Sequence, residues 1–320
     1  MIRYIKTMVF SAVIGTLPLQ ALAFPEKPIT IVVHSSPGGQ LDLTARALAP
    51  AMGEYLNQKI IIENKPGASG LIGIQQVKRS QADGYTILAA ASTISALPSL
   101  KINPGYSLKK DFAAIGGMVK FPYLAVTATS SNFNSVREFV DKARQEPEKY
   151  SYASAGNGST SHMAAALLMA KEKINVVNIP YKGNGAALPD VISGRAEIFF
   201  EVYGIAQPHI TAGRLKPLAV TSDQRMPELP QVSTVKEQLS NDYVFDLWLG
   251  LFAPQGTPPA VLSRLQGALK FALDNPDIKN KFKREGISTF PVFGADFEQV
   301  AAGDQLVFDK LVQDIGYQKD

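Results

Sequence analysis

The same punctuation recurs along this chain: a β-branched run, a turn rich in glycine, then an apolar-periodic helix. Residues 29–34 (ITIVVH) run into Pro37-Gly38-Gly39 and a helical pattern over 43–56. Residues 60–63 (IIIE) run into Gly67, Gly70 and Gly73 and a second helix, and 85–90 read as a third strand. Parallel neighbours need a crossover of a dozen residues or more, so this alternation predicts a parallel sheet with helices on both faces.

The alternation then restarts. Residues 123–127 read as a strand and 135–144 as a helix, with Ser135 as N-cap and Glu138 three residues on. Further strands are expected at 150–153, 176–179, 198–200 and 217–221, and a short helix ends at Gly194. After Trp248 the turn APQGTPP leads into helical patterns at 260–273, 276–285 and 297–314. Two α/β units therefore share the chain, joined near 117–123 and again near 246–253. Two crossings make a hinge, and ligands of open α/β sheets bind beyond the carboxyl ends of the strands. The expected division is 1–23 as a leader, 24–119 with 250–320 as one domain, and 120–249 as the other.

The leader explains itself. Arg3 and Lys6 precede an apolar stretch from Met8 to Leu19, and Ala21-Leu22-Ala23 is an A-x-A cleavage pattern before Phe24. A secretory signal peptide cleaved after Ala23 and a periplasmic mature protein are expected. The whole chain carries 32 basic and 28 acidic residues, scattered without runs, so a clustered basic face for nucleic acid is not expected. Cysteine is absent, which excludes disulfides, a thiolate nucleophile, a cysteine zinc site and a lipid-bearing cysteine. His34, His162 and His209 show no metal spacing, and no cofactor is expected.

The chemistry lies in the turns. Ala155-Gly156-Asn157-Gly158-Ser159 follows a strand and opens the helix bearing His162. A helix start offers unpaired N–H groups and about half a positive charge. A dinucleotide fingerprint fails because Ser161 stands where a third glycine is required, and a phosphate loop fails for want of Gly-Lys-Ser/Thr. Pro37-Gly38-Gly39-Gln40-Leu41-Asp42 has the same placement in the first unit, where Asp42 reads most simply as the helix cap and otherwise as a ligand contact. Ser92 and Thr93 add hydroxyls after a third strand. Two glycine turns, one per unit, describe a clamp for one small carboxylate. They hold it with amides and helix ends, at a lower desolvation cost than a buried arginine. A secreted hydrolase using Ser154 or Ser159 with His162 is the enzymatic alternative, but no acid stands by to orient the histidine.

The mature chain resembles the periplasmic solute receptors of tripartite tricarboxylate transporters, the Bordetella-uptake-gene type. The similarity is carried by FPEKPITIVV, PGGQLDLTAR, ENKPGASGLIG, ADGYTIL, SAGNGSTSHMA, IPYKG, AGRLKPLAVTS, LPQVSTVKE and GLFAPQGTPP, in this order. It implies a two-domain α/β periplasmic binding protein, a Venus flytrap of type II-like organisation with a cleft between the domains. It implies a carboxylate held by the Pro37–Asp42 and Ala155–Ser159 turns, partly through water. It also implies a selecting residue after the 198–200 strand, delivery to a membrane permease, a monomer and no catalysis. An extracytoplasmic sensor with the same ligand is the alternative. Two departures stand out. Ser35 follows His34 where many relatives carry Pro-aromatic, which leaves room for a bulky or aromatic ligand. Glu201, beside Tyr203, stands where many carry Asp.

Overall fold

The computed structural model describes residues 24–100, 103–239 and 242–314, so the leader and its cleavage site lie outside the described residues. The first alternating run comprises β1 (Ile29–Val33), α1 (Gln40–Leu56), β2 (Ile60–Asn64), α2 (Leu71–Lys78), β3 (Thr86–Ala91) and α3 (Thr93–Leu100). A one-turn helix, α4 (Leu108–Asp111), leads into the 17-residue strand β4 (Phe112–Ala128). The second run is α5 (Val136–Gln145), β5 (Ser151–Ser154), α6 (Thr160–Glu172), β6 (Val177–Pro180), α7 (Asn184–Ile192), β7 (Ile198–Val202), α8 (Tyr203–Thr211) and β8 (Leu215–Val220). The chain closes through α9 (Val235–Leu239), β9 (Asp246–Pro254), α10 (Pro259–Asp274), α11 (Pro276–Arg284), β10 (Ser288–Thr289) and α12 (Gly294–Asp314).

The strands form one ten-stranded sheet in the order β2-β1-β3-β9-β4-β7-β5-β6, with β8 and β10 also on β4. It is mixed, not wholly parallel as the alternation suggested. Pairing is parallel inside each run, where helices supply the crossovers. β4 and β9 carry the chain between the runs in opposite directions, so they pair antiparallel with each other and with their neighbours. The segment 117–123, expected to join the two units, lies within the continuous strand β4. The Gly116-Gly117 pair inside β4 marks a close approach, since a Cβ on Gly117 would stand 2.5 Å from the Phe290 carbonyl oxygen. The cap of α5 matches its sequence signal: Ser135 Oγ accepts from the Glu138 N–H at 3.1 Å.

Register brings the carboxyl ends of both runs together. Ala91, the last residue of β3, pairs with Leu249, which pairs with Val119 of β4. Val202, the last residue of β7, pairs with Tyr123 of the same strand. Four residues of β4, roughly 13 Å of strand, thus separate the two carboxyl edges. The largest apolar cluster runs from Leu48 and Met52 of α1 to Met163 and Leu168 of α6. α6 is buried from Ser161 to Met169, and Tyr243 fixes its inner turn by donating to the Ala164 carbonyl at 2.9 Å.

Candidate functional site

The two glycine turns share one backbone design. Gly38 and Gly158 both sit at positive φ, 80° and 74°, which glycine reaches without a Cβ penalty. Each is followed by an extended N-cap, Gly39 (φ −74°, ψ 163°) and Ser159 (φ −69°, ψ 160°). In each, the N-cap amide returns to a carbonyl three residues back, Gly39 to Ser36 and Ser159 to Gly156. In each, the positive-φ glycine donates its N–H to the side chain four residues on: Gly38 to Asp42 Oδ2 at 2.9 Å, Gly158 to His162 Nδ1 at 3.2 Å. The glycine amides are therefore committed within their own turns. The donors left over are the first amides of α1 and α6, which have no helical partner.

Asp42 is not the N-cap that its position suggested; α1 begins two residues earlier, at Gln40, capped by Gly39. The Asp42 carboxylate braces the turn instead, accepting also from Arg46 Nε at 2.9 Å and Asn64 Nδ2 at 3.0 Å. Burial alone would raise its pKa, but the bonds from Arg46, Gly38 and Asn64 and the Arg46 charge together hold it below the usual carboxylate value. Asn64 also donates to the Ser35 carbonyl at 3.2 Å. His34 is buried at the end of β1 and accepts the Ala91 N–H on Nε2 at 3.1 Å, tying β1 to β3. Burial lowers its pKa to about 4. A Cβ on Gly70 would overlap the His34 ring at Nδ1, so the second glycine loop lies directly over this ring.

In the second turn Ser159 Oγ caps α6, accepting from the His162 N–H at 3.2 Å, and Ser161 Oγ accepts from the Ala155 N–H at 3.0 Å. Asn157 is exposed and accepts from Asn178 Nδ2 at 2.8 Å. Gly156, at φ 119°, lies over the Tyr181 carbonyl, 3.3 Å from where a Cβ would be. His162 lies parallel to Tyr152 with centroids 6.2 Å apart, and burial lowers its pKa. Thr160 Oγ1 and the Tyr123 hydroxyl are 2.6 Å apart, joining the start of α6 to β4.

Ser92 follows β3, its N–H bonded to the Trp248 carbonyl at 2.9 Å, and Thr93 opens α3. Glu201 stands near the end of β7. The β5–β7 register pairs Ala153 with Phe199, two residues before Glu201, and β4 sets Leu124 opposite Glu201 itself. Glu201 is fully buried; Asn184 Nδ2 donates to its Oε1 at 2.7 Å. Tyr203 packs instead toward Gly286 and Met226, since a Cβ on Gly286 would stand 2.5 Å from Tyr203 Cδ1. Phe200, one position before Glu201 on β7, is wholly buried.

Four oxygens at these edges are buried without a hydrogen-bond partner among the described residues: Ser35 Oγ after β1, Ser92 Oγ after β3, Ser154 Oγ ending β5, and Glu201 Oε2 on β7. Such atoms are costly unless something else satisfies them. Reading the sequence alone missed Asn64 and Asn184, because nothing local marks a partner supplied by a distant segment. Among the described residues no group of three His, Asp or Glu stands close enough to hold a metal ion, and no helix is long and apolar enough to cross a membrane.

The chain has relatives among known proteins in both sequence and fold. Residues 44–317 match the family described as tripartite tricarboxylate transporter family receptor. A UPF0065 protein in the tcbD-tcbE intergenic region of Pseudomonas sp. (strain P51) is 34% identical over 268 residues, 83% of this chain and 80% of that one. The periplasmic binding protein BugD superposes with a TM-score of 0.77 at 32% identity, over 93% of this chain and 100% of that one. R. palustris Rpa4515, solved with adipate, superposes with a TM-score of 0.81 at 27% identity over the same shares.

Proposed function

We propose, from the premise that this chain belongs to the tripartite tricarboxylate transporter family of receptors, that it is a periplasmic binding protein for a small carboxylated metabolite. The protein leaves the cytoplasm by a signal peptide cleaved after Ala23. Residues 24–119 with 250–320 form one domain and 120–249 the other, and they close about β4 and β9 as a monomer. The first-turn amides of α1 and α6 hold the ligand carboxylate, with Ser35, Ser92, Thr93 and Ser154 supplying hydroxyls around it. The closed receptor hands its ligand to a tripartite-type permease in the inner membrane and performs no chemistry on it.

The observation that carries this reading is the set of buried, unpartnered oxygens at the ends of β1, β3, β5 and β7, beside two helix starts of one design. A relative was solved with adipate, and adipate is the first ligand to try. Proline suits the first position of a helix, and Gly39 already has the extended backbone a following proline requires. Gln40→Pro therefore removes one clamp amide and leaves the fold intact. Calorimetry should show adipate affinity falling by about tenfold or more, the usual loss for a charge-assisted bond. Gln40→Ala, which keeps the amide, should bind nearly as well as the wild type. Equal affinity for the proline variant would sink the clamp.

A further inference from the structure

The two oxygens of Glu201 have unlike surroundings. Oε1 accepts from Asn184 Nδ2 at 2.7 Å and from the Val202 N–H at 2.8 Å. Oε2 is buried and accepts nothing from the described residues. A proton on Oε1 would face two donors, so a neutral Glu201 carries its proton on Oε2. Little nearby favours the ionised form. No Lys, Arg or His pairs with Glu201 among the described residues, and no charge contributes to its titration. The first turns of α7 and α8 are uncharged. β4 brings the buried Tyr123 phenol, whose own proton the Glu201 charge would hold more firmly, and α6, which packs on β7, carries His162 in its first turn, where burial lowers the imidazole pKa and favours its neutral form. Burial raises the Glu201 pKa to about 7, only partly offset by the Val202 and Asn184 bonds.

We propose that Glu201 meets the ligand as a neutral carboxylic acid, that Asn184 is the positioning residue which keeps the hydroxyl on Oε2, and that the receptor thereby selects a dicarboxylate whose second carboxylate accepts that O–H. This rests on the carboxylate clamp above. The helix starts hold one carboxylate; the second meets a donor, not a like charge. An ionised Glu201 would reverse the choice, repelling a second carboxylate and favouring a ligand with an ammonium at its far end. The Ser35 vacancy argued for bulk, whereas Glu201 argues for a second acceptor.

Adipate, 6-aminohexanoate and hexanoate share one chain length and differ at the far end alone. Calorimetry on the full mature protein should give adipate the tightest binding near pH 6. Adipate affinity should then fall about tenfold between about pH 6 and about pH 8, as the neutral fraction shrinks, while hexanoate stays level. Glu201→Gln keeps a donor, so it should bind adipate at both pH values without that fall. Asn184→Ala removes a bond to the ionised form and should move the midpoint of the adipate profile upward, which a merely structural role would not do. Independently of any ligand, carbon-13 titration of the free protein should find the Glu201 carboxyl above the ordinary range. A 6-aminohexanoate preference, a level adipate profile in the wild type, or an ordinary Glu201 titration would each overturn the proposal. Failure of all three ligands with a raised Glu201 titration removes the clamp, and this proposal with it; hexanoate and adipate binding equally removes this proposal alone.

Discussion

The turn at Pro37–Asp42 and the turn at Asn157–His162 follow one backbone and use two braces. In the first, the side chain four residues past the donating glycine is an anion, itself tied to Arg46 and Asn64. In the second it is an imidazole that burial holds neutral, lying against a tyrosine ring. The backbone needs an acceptor at that point; it does not specify a charge. What differs is what each brace ties together. Asp42 ties its turn to β2 by an ionised carboxylate that accepts from Asn64, whereas His162 meets β5 by ring contact with Tyr152. Charge-assisted bonds are the stronger kind, so the first turn should lean on its brace more heavily, and pH should act on the two sheet edges in opposite senses.

The comparison breaks most sharply at Asp42. Asp42→Asn keeps the shape but sets an amide N–H against Gly38, Arg46 or Asn64, all of which donate. Arg46 is half exposed, which discounts the ion-pair part. A loss of about 3 kcal/mol in urea unfolding is expected. A loss below that of the His162 variant below would show that the braces are equivalent.

Next come the two pH limbs. The folded-state pKa of Glu201, about 7, lies above its ordinary 4.5. The folded protein therefore binds that proton more tightly, and stability present in acid is lost as pH rises from 4.5 through 7. The loss between about pH 5 and about pH 8 is about 2.5 kcal/mol, and Glu201→Gln should flatten it. His34 runs the other way: its folded-state pKa, about 4, lies below 6.5. Stability fully present above 6.5 is lost as pH falls toward 4, by about 2 kcal/mol between about pH 7 and about pH 5. Hydrogen exchange resolves the two. Amides near Ala91 should lose protection toward acid, and those near Val202 toward alkali. The same direction at both edges would remove the contrast.

Smaller effects sharpen it. His162→Asn keeps an acceptor for the Gly158 N–H but gives up the ring against Tyr152, so about 1.5 kcal/mol is expected by thermal unfolding. Gly38→Ala has open space around its Cβ, leaving only the positive φ to oppose it, at about 1 kcal/mol. A neutral Gly38→Ala would mean that the turn tolerates another backbone.

Much of this was readable before any coordinates. The strand–turn–helix alternation, the glycines at Gly38, Gly156 and Gly158, and the Ser135–Glu138 cap arise from contacts within a few residues, so their signals sit inside one window of sequence. The tertiary structure decided the rest. Gly117 sits inside β4 because Phe290, far along the chain, passes too close for a side chain, a need that nothing local states. The mixed sheet follows from Ala91 meeting Leu249 and Leu249 meeting Val119, pairings that no local periodicity encodes. The braces were half legible: Asp42 and His162 stood out, but Asn64 and Arg46 complete one of them from another strand and the next helical turn. Glu201 drew notice by position, while its protonation depends on Asn184 and on full burial. A side chain's charge state is set by what surrounds it in space, and for Glu201 those neighbours come from separate strands and helices.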